Sequence, residues 1–142
     1  MNRALTFSLL FIFLAGCAGT GMKSSGLVFS QIDELRGTNT VFVSRDTGYT
    51  GSAALISVKL NGAEVGDLGD GEVISALGKS GSNVIEVGFS GIASLGMSME
   101  KTQTFNLRAE EGGFFIINMK SGLLTNELQL LEVSESTFKN SL

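Results

Sequence analysis

The chain has 142 residues, a formal net charge of −4, 43% hydrophobic and 17% charged residues, which is enough for one domain with a core of its own. It has no histidine, tryptophan or proline and a single cysteine, which removes the commonest general base and metal ligand and any internal disulfide. Mild acidity argues against nucleic-acid binding, which takes Lys and Arg clusters to neutralise phosphates.

Residues 1–16 have the three parts of an export signal. Arg3 supplies the positive start, residues 4–14 form an uncharged apolar run, and Ala15 and Gly16 are small. The run is shorter than the ~20 apolar residues of a transmembrane helix. Leu14-Ala15-Gly16-Cys17 resembles the lipobox of bacterial lipoproteins. The resemblance implies cleavage before Cys17, a diacylglyceryl thioether on its sulfur and often a third acyl chain on the new amino terminus. Membrane attachment would then run through a lipid anchor. Several chains matter, because one acyl chain, at about 0.8 kcal/mol per buried methylene, binds a membrane only marginally. Ala18 stands where an aspartate retains lipoproteins in the inner membrane of Gram-negative cells. Its presence there implies the outer membrane and a domain facing the periplasm. Cleavage removes Arg3 alone among the charged groups, so the mature part is still more acidic and the lipid, not surface charge, would hold it.

Residues 17–38 read as the lipidated cysteine and a tether, and 39–142 as the domain. Residues 18–26 are small and polar, a flexible composition that spans roughly 30 Å when stretched. Residues 27–36 suit either a short helical turn carrying Ile32 and Leu35 or an extended segment. Alternation then predicts strands at 40–45, with Val41 and Val43 opposite Phe42, and at 54–60, with Ile56, Val58 and Leu60 on one face. Asn61-Gly62 predicts a type I′ hairpin turn and a return at 63–68. Gly69-Asp70-Gly71 leads to a strand at 72–77, and 83–89 places Ile85, Val87 and Phe89 together. Residues 99–107 point Phe105 and Leu107 inward. Residues 114–119 are apolar on both faces and predict a central strand. A last strand at 128–133 precedes Ser134, placed to cap a helical turn holding Phe138. About eight short strands with glycine turns and no long helix predict an all-β fold, an antiparallel β-sandwich or barrel-like sandwich, with short terminal helical turns.

Val41-Phe42-Val43-Ser44-Arg45, the hairpin from Val58 to Leu68 and Gly71-Glu72-Val73 resemble a family of small bacterial lipoproteins of unknown function. PEGA-type surface domains share its hairpin. Val73 stands where that family usually has an aromatic, and residues 78–81 replace its Pro-Gly turn. The resemblance implies an all-β domain over about 39–133 and brings no active site.

Residues 88–92 approach the G-x-S-x-G nucleophile elbow but end in Ile92, and there is no histidine base. Ser98 and Lys101 have S-x-x-K spacing, which unites the two on a helix, whereas the local alternation says strand. Asp67, Asp70 and Glu72 form an acidic cluster of the kind hard cations favour, yet Asp-Gly is ordinary turn chemistry. Residues 91–97 form an uncharged loop. Its Ile92, Leu95 and Met97 suit either contact with a partner or lipid or a lid over the end of the core. These readings converge on a non-catalytic, lipid-anchored binding or structural module with an envelope protein as partner and no cofactor or metal. The alternative is a carrier of a small hydrophobic ligand inside the β-structure, which requires an apolar cavity of about 300–1,000 Å³.

Overall fold

The computed structural model describes residues 20–23, 26–48, 54–90, 100–121 and 126–142. Among them are nine strands and two helices: β1 (Met22–Lys23), α1 (Gly26–Glu34), β2 (Thr40–Arg45), β3 (Leu55–Leu60), β4 (Ala63–Leu68), β5 (Glu72–Leu77), β6 (Gly81–Ser90), β7 (Glu100–Leu107), β8 (Gly113–Ser121), β9 (Asn126–Glu132) and α2 (Glu135–Ser141). The strands form two sheets, ordered β1-β5-β2-β8-β9 and β4-β3-β6-β7. The expected β-sandwich is the architecture, and its pairs are antiparallel except β2 with β8. A parallel pair needs a long crossover. Here β5 and the whole second sheet lie in the chain between its two strands.

The alternating residues meet between the sheets. Val41, Val43, Phe115 and Ile117 of the first sheet pack against Ile56, Val58, Ile85, Val87 and Phe105 of the second. Phe105 and Phe115 meet edge to face at 4.7 Å. Both positions of the Asn61-Gly62 turn have positive φ, 53° and 78°, the geometry of a type I′ hairpin. Asn83 of β6 supports that turn from inside. It is fully buried, accepts from Asn61 Nδ2 and from the Lys79 amide, both at 2.9 Å, and donates to the Lys79 and Gly81 carbonyls at 2.7 and 3.0 Å.

The opposite face of the five-stranded sheet is buried too. Phe42, Val73 and Ile116 face outward from it, and Val28 and Ile32 of α1 and Phe138 of α2 cover them. Phe42 and Phe114 stack at 5.6 Å, with Phe138 against both. The molecule therefore has three layers, helices on sheet on sheet. Val28 and Ile32 sit four residues apart, one turn of helix, and the segment is helical to Glu34, with Leu35 and Arg36 in the turn after it. That turn also contains Gly37, at a φ of +85°. Ser134 caps α2 as expected, its Oγ accepting from the Thr137 amide at 3.2 Å.

The tether boundary at residue 38 is corrected by this arrangement. Met22 and Lys23 pair with Val73 and Glu72, and α1 is part of the second core. Small residues in this segment serve close packing. A Cβ on Gly21 would stand 2.8 Å from Leu68 Cδ2 and 2.9 Å from Glu72 Cβ. A polar, glycine-rich composition reads the same whether it is slack or close-fitting, which is why the sequence suggested the former.

Candidate functional site

The helical layer leaves a cleft of about 400 Å³ where α1 ends, β8 begins and β9 runs into α2. Its apolar lining is Leu35, Phe114 and Val133, which are partly exposed, with buried Ile32 and Phe42 beneath them. Glu110, Glu111, Glu132 and Glu135 line it against one cation, Arg36. The four acids come from three local settings. Glu110 and Glu111 sit in the turn between β7 and β8, where the Glu111 amide donates to the Arg108 carbonyl and Glu111 Oε2 accepts from the Arg108 amide at 2.9 Å. Glu110 holds a φ of +64°, a left-handed conformation uncommon for a residue with a Cβ. Glu132 closes β9, and Glu135 opens α2, where an acid favours the positive end of the helix.

Arg36 is held by both helices, with its Nη2 2.6 Å from Glu135 Oε1 and 3.2 Å from Asp33 Oδ1. Lys139 completes the clamp at 2.8 Å from Asp33 and 2.9 Å from Glu135. The Lys139 hydrogen bond and charge hold the Asp33 carboxyl below its ordinary range. In return the bonds to Asp33 and Glu135 raise the Lys139 ammonium. Arg36 is thus committed to the clamp, and the cleft lining is left acidic. Thr38 and Thr40 share a hydrogen bond of 2.6 Å beside it.

The acidic cluster expected near the second hairpin is used structurally. Buried Arg45 donates to the Ala54 and Leu68 carbonyls. Burial lowers its affinity for the proton, and the charges of Asp70 and Glu72 oppose that shift. Glu72 Oε2 accepts from the Gly69 amide at 2.8 Å, and Asp70 Oδ1 from the Gly48 amide at 3.1 Å. The Asp67 amide and carbonyl engage Thr20. Among the described residues no three His, Cys, Asp or Glu side chains are grouped to hold a metal.

Gly88 to Ser90 close strand β6, and Gly91 and Ile92 lie outside the described residues. Lys101 lies in β7, while Ser98 is outside the described residues. Cys17, Ile92, Leu95 and Met97 also lie outside them. The sequence reading did not reach the cleft. Its acids come from the turn between β7 and β8, the end of β9 and the start of α2, and none of them carries a motif of its own. The one available signal was Phe114 and Ile116, apolar residues on a second strand face that required a cover.

No family model, no curated protein and no solved structure matches the chain.

Proposed function

We propose that this chain is a non-catalytic binding or structural module, anchored by lipid on Cys17 in the outer membrane of a Gram-negative cell and working in the periplasm. Its partner is an envelope protein, and the cleft takes a basic, partly apolar segment of it. The observation that carries the reading is the cleft itself, an apolar strip of Leu35, Phe114 and Val133 within an acidic lining whose one arginine is already paired. An apolar strip gives affinity, and surrounding charge gives register and speed of encounter. The anchor is supported by Leu14-Ala15-Gly16-Cys17. The absence of histidine from the sequence supports binding over chemistry. The packed side chains between the sheets support a module over a carrier of a ligand held there.

A photo-reactive residue at position 110 in intact cells tests the cleft, with position 86 on the outer face of the second sheet as control. Capture of one envelope protein from position 110 and not from position 86, weakened when Glu132 is changed to Lys in the chain that carries the probe at 110, is the expected result. Equal capture from both positions would remove the cleft from the proposal. The anchor has its own test. Cys17→Ser should accumulate as an uncleaved, unacylated precursor, and normal maturation of that variant would sink the lipoprotein reading.

A further inference from the structure

The described fold begins close to the proposed anchor. The Thr20 amide donates to the Asp67 carbonyl at 2.8 Å, and the Asp67 amide donates to Thr20 Oγ1 at 2.9 Å. Two residues later Met22 and Lys23 pair with β5. From Thr20 onward the chain is therefore fixed to β4 in one sheet and to β5 in the other, lacing one side of the sandwich. Gly66 makes room for this contact. Its φ is +150°, and a Cβ there would lie 2.2 Å from Thr20 Oγ1 and 2.7 Å from Ile74 Cδ1. Three peptide steps separate Thr20 from Cys17, about 10 Å when fully stretched.

We propose that the laced β1/β4 side of the sandwich is the membrane-facing surface, held against the phospholipid headgroups, with β7 and β9 on the side turned away. This rests on the lipid-anchor reading of Cys17. Within the sheets β9 is the fourth strand beyond β1, and β7 the third beyond β4. At about 4.8 Å per strand the far edges stand roughly 19 and 14 Å further from the anchored side. Charge does not draw this side to a bilayer. Glu64 is exposed on it, and Lys23 is turned to the Asp70 carbonyl at 2.6 Å and to Glu72 at 4.0 Å. The short link imposes the contact. The cleft, built on β2 and β8, begins two strands in from β1.

Glu64 and Thr102 offer a direct test. They are exposed and lie on one cross-strand row, Glu64 opposite Lys59, Lys59 opposite Glu86 and Glu86 opposite Thr102. The full chain, matured in cells, is placed in phospholipid vesicles carrying an acceptor dye on the headgroups. A donor dye is attached at Glu64→Cys or at Thr102→Cys; acylation of the Cys17 sulfur leaves one thiol to label. The expected result is a greater loss of donor fluorescence at 64 than at 102, unchanged by added salt. A long Gly-Ser insertion between Gly19 and Thr20 should erase the difference. Equal losses from an acylated chain would overturn the orientation while leaving the anchor intact. A difference that salt abolishes would show charge, not the link, to be the cause. A mature chain with no acyl mass on Cys17 would overturn the anchor reading and this inference together.

Discussion

The five-stranded sheet has two buried faces built by different rules. The inner face meets another sheet, and its residues recur at every second position in each strand: Val41 and Val43, Phe115 and Ile117. The outer face meets two helices, and its partners come from opposite ends of the domain: Val28 and Ile32 on one, Phe138 on the other. Strand pairing holds each sheet together, and side-chain packing joins the two inner faces. The outer layer is held by an aromatic cluster and a surface ion clamp. A face that shares its hydrogen-bonded frame with the rest of the sandwich should fail with the whole molecule, whereas a docked helical layer has a route to fail first.

Two phenylalanines of the same size, both fully buried, separate these cases. Phe115→Ala and Phe138→Ala should each cost about 3–5 kcal/mol, from lost transfer energy and the cavity left behind. Their modes should differ. Phe115→Ala should lower the urea midpoint of all probes together. Phe138→Ala should strip amide-exchange protection from α1 and α2 while β3 and β6 stay protected, a sub-global opening of the kind small cooperative units show. Equal loss of protection in helices and strands of Phe138→Ala would mean that the outer layer is not a separate unit.

Asn83 sharpens the comparison from the second sheet. Its amide group holds the Asn61-Gly62 turn and the approach to β6 through four hydrogen bonds. Asn83→Ala should cost about 2–4 kcal/mol, because it leaves buried donors and acceptors without partners. The loss should exceed that of Asn61→Gly, which keeps a residue suited to the positive φ of the turn. Chemical denaturation of both variants checks the order.

This asymmetry also explains what was legible in the sequence. Alternation with period two places Ile56, Val58 and Leu60, and Asn61-Gly62 marks its turn by local conformation alone. The two-sided apolarity of residues 114–119 correctly announced a central strand, buried on both faces. Asn83 was invisible because its partner Asn61 is 22 residues away and an asparagine at a strand start has no distinctive local pattern. The parallel β2–β8 pair was hidden for a similar reason. Strand direction follows from the crossover, which is a property of the whole chain. The cleft needed α1 and α2 brought together, and its carboxylates share no motif.

The laced side should respond less than the cores. Gly66→Ala sets a methyl group against Thr20 and Ile74 at a φ that side chains rarely adopt. Strain of this kind costs of order 1–3 kcal/mol. Thr20→Gly in the same background should recover part of the loss, since it removes the clashing hydroxyl but not the backbone strain. Thermal unfolding of the single and double variants measures the recovery, and additive losses would place the clash elsewhere.

The smallest effect belongs to the ion clamp between α1 and α2, and its sign follows from the two shifted groups. The Asp33 carboxyl titrates below its ordinary value of 3.8, chiefly through the bond to Lys139. Its contribution is full above that value and is lost as pH falls through the lowered one. The Lys139 ammonium titrates above its ordinary 10.5, chiefly through Asp33. Its contribution is full below that value and is lost as pH rises through the raised one. Docking of the helices should therefore be level across neutral pH and loosen at both extremes. Asp33 is exposed, so solvent and salt screen the pair and keep the effect small. Lys139→Met removes the alkaline limb and the larger part of the acid limb, the Arg36 pairing with Asp33 remaining, while retaining a stem of similar length. Protection factors for the α2 amides should then lose their decline at alkaline pH and show a smaller one at acid pH than the native chain, and added salt should narrow the gap between the two proteins. Identical pH profiles for native and variant would show that Lys139 does not help to hold the outer layer.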